Sequence, residues 1–303
     1  MDKKKLEEMN ASCTDRTETE QELQTAFTEH LMLSGTVIGT REDRVSGALF
    51  ARVRYKDKMV SIPASELSLY ALTLRDSERS NFERGLARRC AGADVDFYVT
   101  YVDDDTGEVF GSRAAALKTN IYRYYLGIGA TGGYVEEKDR VRPGLTIDGK
   151  VLVVNAKSLV LEIRGADVLI PARELMYIRH PTIYEFFQPG QRLNAVITNV
   201  ICDTSPEHVM VVASMKAATP NPKRYKIRDY TPGDMVTGRV LKVGARMVFA
   251  LIDKDVDVAC PIPVGVEPLA VGDAIVLRIS EVNESQLRIY GDILKRDKAF
   301  IRL

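Results

Sequence analysis

The chain's fold is constrained most by a pattern that its sequence runs three times. The stretch from Gly149 to Leu175, GKVLVVNAKSLVLEIRGADVLIPAREL, joins a Gly-x-Val start to apolar β-rich runs and an end that carries Pro and Glu-Leu. The same order runs from Gly35 (GTV) to Leu67 (VSIPASEL) and from Gly238 (GRV) to Pro263 (ACPIP). The copies stand roughly 90 to 110 residues apart, so three small modules fit 303 residues better than the two ordinary domains that length alone suggests.

Composition narrows the class. With 45% apolar and 28% charged residues the chain reads as globular, with several modest cores. Lys plus Arg equal Asp plus Glu at 42 each, so no large basic field points to nucleic acid by charge alone. Cys13, Cys90, Cys202 and Cys260 form no CxxC pair and have no His at ligand spacing, which argues against a zinc site and a disulfide framework; no metal or other cofactor is expected. Lys3 to Lys5 run into Leu6-Glu7-Glu8 rather than an apolar segment, and no stretch of about eighteen apolar residues follows. The expectation is a cytoplasmic, reducing location without a membrane.

Residues 1–30 are polar, with Thr and Glu alternating from Thr14 to Glu22, and read as a flexible or partly helical leader. Module one, 31–118, begins with the strand-like runs SGTVIG, ALFARVRY and KMVSIPA. Phe82, Leu86 and Cys90 then recur every four residues, predicting a helix over Ser77 to Cys90 capped by Asp76 or Ser77. VDFYVTYVD, a turn at Asp104-Asp105-Thr106-Gly107, and EVFGSR predict a hairpin. Residues 119–141 hold Tyr122, Tyr124, Tyr125 and Tyr134 around GIGATGG and read as an ordered connector. Without a following Lys-Ser or Lys-Thr, that glycine run is no phosphate loop. Module two, 142–218, is expected to have three strands, a short helix from near Pro181 to before Pro189-Gly190, and the strands LNAVITNVI and HVMVVAS. A stiff linker at Pro220-Asn221-Pro222, within 219–229, leads to module three, 230–295, and a tail, 296–303.

The repeated order comprises Gly-x-Val, a buried strand, a crossover with Pro63, Pro171 or Pro261, a glycine (Gly92, Gly190, Gly272) leading an alternating strand, and a final strand. It resembles the ribosomal S-one RNA-binding domain. The first two copies add a closing small residue and Ser, Gly111-Ser112 and Ala213-Ser214. The resemblance covers about 230 residues and implies a mainly β protein of three tandem five-stranded OB barrels with short inserted helices, like the bacterial small-subunit protein that carries such domains. It also implies a non-enzymatic function, single-stranded RNA or DNA lying on a strand face with bases on aromatics and phosphates near Lys or Arg.

The family's binding face carries an aromatic at the start of the second strand and another three residues on, often with a His in the crossover. Here those aromatic positions hold Arg246 and Phe249 in module three and Lys157 and Val160 in module two; module one has Phe50 in a longer loop. The His position is Pro63, Pro171 and Pro261. Basic residues stand beside them: Arg52, Arg54, Lys56 and Lys58 in module one, Arg164 and Arg173 in module two, Lys242 in module three. Phe50 and Phe249 lie in alternating segments, so each is either a core residue or a base platform. Asp103 to Asp105 suit a turn as well as a metal or acid-base pair, and His30, His180 and His208 are scattered with no nucleophile motif near them. Two functions follow: an RNA-binding protein, or a set of degenerate barrels that bind a ribosomal, replication or virion protein.

Overall fold

A computed structural model describes residues 18–103, 106–129, 132–178, 180–202, 204–262 and 268–296. Fifteen strands make three five-stranded barrels of OB topology, as the repeat predicts. In barrel one, β1 (Met32–Glu42), β2 (Leu49–Tyr55), β3 (Lys58–Pro63), β4 (Asp94–Val102) and β5 (Val109–Ser112) close in the order β1-β2-β3-β5-β4. Barrel three closes identically with β11 (Met235–Val243), β12 (Met247–Asp253), β13 (Val256–Pro261), β14 (Ala274–Asn283) and β15 (Arg288–Arg296). Barrel two, β6 (Thr146–Val154), β7 (Ser158–Ile163), β8 (Ala166–Pro171), β9 (Arg192–Ile201) and β10 (Met210–Ser214), keeps the order but leaves β8 and β10 unpaired. Closure is achieved by a short parallel pairing of third and fifth strands, Val60 with Val109 and Val258 with Ile289.

The repeated residues have one structural meaning in all three copies. A Cβ at Gly35, Gly149 or Gly238 would meet the facing second strand within 3.0 Å, so these are places where the backbone must approach closely. The valine two residues on accepts a hydrogen bond from the amide of the later glycine: Gly92 to Val37 at 2.7 Å, Gly190 to Val151 at 2.8 Å, Gly272 to Val240 at 2.8 Å. Each first strand then bulges, between Val37 and Gly39, Val151 and Val153, and Val240 and Lys242, which sharpens the coil that a small barrel needs.

The main departures from the sequence reading lie in the segments set aside as leader, connector and linker. The chain is helical over 18–28 (α1), and Leu23 and Ala26 are buried in the barrel-one core with Val53 and Val60. Glu20 pairs with Lys58 and Glu22 with Lys56, so a mostly polar segment is ordered by two apolar anchors and two ion pairs. The connector is helix α3 (Arg113–Ile121) continued by a π turn, Tyr122–Leu126; it buries Ile121 and Tyr125, and the Tyr125 hydroxyl donates to Ile163 O at 2.7 Å. The linker is a helical turn, α6 (Lys223–Lys226), running into a 3₁₀ turn (Ile227–Asp229) that inserts Ile227 fully into the barrel-three core. Every barrel is therefore preceded by a helical plug that meets its second hairpin turn.

The expected inserted helix in module one is α2 (Asp76–Arg89). Its flanking residue Arg75 makes no side-chain cap; Asp76 and Glu78 lie in the first turn and Arg88 and Arg89 in the last, as the helix dipole favours. No helix spans Pro181 to Pro189 among the described residues; helix α4 (Ala172–Leu175) comes earlier, and the chain then runs irregularly with turns at 184–186. So few residues between two prolines cannot offset helix nucleation, while Ile183 and Phe187 are buried without helical spacing.

By contacts the chain divides into two compact units, Met1–Pro171 with Tyr184–Ala218, and Ala172–Ile183 with Thr219–Leu303. The first holds barrels one and two. Between them Arg113 is fully buried, donating to Asp167 at 2.7 and 3.1 Å, to Glu162 at 2.7 Å and to Leu67 O. Among the described residues no helix is long and apolar enough to cross a membrane.

Candidate nucleic-acid interface

Strand alternation decides which candidate residues face outward. On β2, Leu49, Ala51 and Val53 are buried, so Phe50, Arg52 and Arg54 share the outer side. Phe50 is thus no core residue. Its ring stands edge-on to Phe110 of β5, centroids 5.9 Å apart, and Phe110 lies 6.1 Å from the exposed Tyr101 of β4. Arg52 pairs in register with Ser61, whose other neighbour is Phe110 across the parallel β3-β5 pair. The result is a half-open aromatic row with guanidiniums along one side.

Not every base on this barrel is free. Lys58 is held by Glu20 and Lys56 by Glu22, both from α1, and Arg41 forms a two-pronged pair with Glu108 at 2.6 and 3.1 Å. The Arg41 guanidinium holds the Glu108 carboxyl below its ordinary range. Arg41, Arg52, Lys58 and Ser61 line a cleft along the edge of α1.

In barrel three, Val248 and Ala250 face the core and Phe249 faces out, half-buried. Lys242 of β11 is its cross-strand register partner on one side and Ala259 on the other. Ala259 pairs in turn with Tyr290 of β15, so Phe249 and Tyr290 flank a small residue. Arg246, exposed in the β11–β12 loop, accepts from the Ile262 amide through its backbone carbonyl.

Barrel two distributes its candidates differently. Val160, at the family's second aromatic position, packs against the cluster that holds the barrel-one core, together with Leu152 and Val153. Lys157 stays exposed in the β6–β7 loop. Arg164 sits at the β7–β8 turn over the ring of Tyr124 at 5.0 Å, and Arg173 lies on α4 in the other compact unit, 4.0 Å from Glu174. The three are not brought to one face with Val160.

Phe110, Tyr101 and Tyr290 are the residues sequence reasoning passed over. Alternation in EVFGSR and QLRIYGDIL could have marked Phe110 and Tyr290 as outward, but only the parallel pairing of third and fifth strands sets them beside the second strand. Asp103 accepts from Thr106 at 2.6 Å in a turn; Asp104 and Asp105 lie outside the described residues. Among the described residues no group of three or more His, Cys, Asp and Glu could hold a metal ion.

No family model and no curated protein matches the chain. Among solved structures it is similar to an uncharacterized protein from Methanocaldococcus jannaschii, 24% identical over 22% of this chain and 93% of that one, with a TM-score of 0.20. A chain in the a/eIF2alpha, aDim2p and rRNA complex from Pyrococcus horikoshii is 17% identical over 29% of this chain and 52% of its own, TM-score 0.23. A multidomain protein with nucleic acid binding domains from Streptococcus pneumoniae is 10% identical over 88% and 74%, TM-score 0.21.

Proposed function

We propose that the protein binds single-stranded nucleic acid, RNA before DNA, without a catalytic step, on the outer strand faces of barrels one and three. The observation that carries this reading is Phe249: it points away from a packed core, with Lys242 directly opposite on β11 and Tyr290 two strands away. An aromatic plane beside an ammonium is the pairing that a base and its phosphate require, and stacking tolerates any base. The row Phe50, Phe110 and Tyr101 with Arg52 offers the same chemistry in barrel one. In barrel two the corresponding face is taken up by packing on barrel one, which leaves that barrel a spacer as well as a binder.

The test is fluorescence anisotropy of a labelled uridylate oligomer at several salt concentrations. The expected result is micromolar binding whose logarithm falls linearly with log salt, by about 0.7 per phosphate contact. Absence of binding at about 10 µM protein, or affinity indifferent to salt, transfers the faces to a protein partner, ribosomal or otherwise.

A further inference from the structure

Three guanidiniums gather where the connector folds back on barrel two, away from the strand faces just described. Arg123 lies over the ring of Tyr124 at 5.3 Å and Arg164, from the β7–β8 turn, over the same ring at 5.0 Å. Arg140 lies over Tyr134 at 4.6 Å, and its Nε and Nη2 donate to Val135 O at 3.1 Å each. With Lys138 and Asn194 these residues line one pocket.

The chain makes room for this arrangement. Gly127, first of the connector's glycine run, has φ 74, and a Cβ there would overlap the Arg140 guanidinium. Neither Arg123 nor Arg164 has a carboxylate partner among the described residues. Asp139 and Asp148 also line the pocket, but Asp148 is engaged by Arg192 at 2.9 Å. Cations brought together repel unless something negative joins them. An Arg stacked on an aromatic face keeps its in-plane N-H groups directed outward, the geometry that fits phosphate oxygens two at a time.

We propose that this pocket binds phosphate, taking a phosphodiester of the bound strand on Arg123, Arg140 and Arg164; as a strand contact it rests on the nucleic-acid reading above. The phosphates of a free nucleotide offer the same chemistry, and the experiment separates the two sources. Full-length protein and an Arg123→Gln/Arg164→Gln double variant are titrated with a labelled uridylate oligomer of about 12 nucleotides across a salt series, and with ATP by calorimetry. The expected result is oligomer binding weakened on the order of tenfold in the double variant, with the salt slope shallower by about 1.4, and an unchanged melting temperature. An Arg123→Lys/Arg164→Lys pair keeps the charge and so the slope, while losing part of the affinity with the lost forks. Equal affinity and slope in wild type and double variant overturn the pocket and leave the strand reading standing. ATP binding that the double variant loses, with no oligomer binding by wild type, overturns the strand contact and assigns the pocket to a free nucleotide. Binding of neither overturns both.

Discussion

Gly92 and Gly190, equivalent residues of barrels one and two, lie against each other: a Cβ on Gly190 would overlap the carbonyl oxygen of Gly92. Both have positive φ, 90 and 86, and both donate to the valine of their own barrel's first strand. Gly272 has the same place and φ 94 in barrel three but has nothing within 4 Å of its would-be Cβ. Gly272→Ala should therefore cost only backbone strain, about 1 to 2 kcal/mol. Gly190→Ala adds a collision between backbones that cannot be relieved by rotating a side chain, and should cost more. Thermal unfolding of the two variants checks the order; equal losses would mean that the two barrels separate to make room.

Arg113 is the second tie between these barrels. Its guanidinium meets Asp167 and Glu162, and its buried Nε has no partner. Arg113→Met leaves two buried carboxylates without a counter-charge and should cost about 3 to 5 kcal/mol. One cation against two acids also sets a pH dependence. Burial pushes the Glu162 carboxyl above its ordinary value of 4.5, against the lowering pull of Arg113. A folded chain that holds this proton more tightly than the unfolded one is favoured most below 4.5 and loses that contribution as pH rises toward the raised value. Glu162→Gln should remove this descending limb from the stability profile while Asp167→Asn, which breaks the bidentate pair, lowers stability throughout. A Glu162→Gln profile that keeps the descending limb would assign it to another group.

The strands were legible because alternation survives in short segments: Leu49, Ala51 and Val53 against Phe50, Arg52 and Arg54 separate two faces without any tertiary information. The repeated glycines were legible because one hydrogen bond to a valine carbonyl recurs in every barrel. The plugs were not. Ile227 is a single buried residue in a helical turn, and Leu23 with Ala26 anchor a helix otherwise polar, which is too little apolar periodicity to register. Leu117, Ile121 and Tyr125, four apart and all buried, were the one available signal, masked by the neighbouring tyrosines and glycines. Arg113 follows Ser112, whose hydroxyl accepts from the Ala115 amide as an N-cap; an Arg at a helix start reads as solvated until Asp167, from another barrel, is brought to it. Likewise Lys58 reads as a free cation until α1 supplies Glu20.

Phe249→Ala separates platform from packing. The side chain is half-buried on the outer side of β12, so its loss should leave no core cavity and cost the fold less than the 3 to 5 kcal/mol typical of about a whole buried Phe. Binding to the uridylate oligomer should weaken by about 1 to 3 kcal/mol, one stacked base. Anisotropy and melting on the same protein decide: a sharp fall in melting temperature with affinity retained would make Phe249 a structural residue.

Glu20 and Glu22 set the remaining prediction, since they occupy the two lysines nearest the barrel-one face. Lys58 and Lys56 can release counterions from a phosphate only when α1's carboxylates let go of them, so the wild-type salt slope should understate the barrel's basic content. Glu20→Gln/Glu22→Gln removes both carboxylates while keeping their hydrogen-bonding length, and Leu23 and Ala26 still anchor α1 on the barrel. Affinity for the uridylate oligomer should rise, and the salt slope should steepen by about 0.7 for each lysine that reaches the strand. A steepening near 1.4 puts both lysines on the strand's path, and one near 0.7 selects one of them. Lys58, which lines the cleft with Arg41 and Arg52, is the expected choice. An unchanged slope with α1 still helical by circular dichroism would remove both lysines from the interface and confine binding in barrel one to Arg52, Arg54 and the aromatic row.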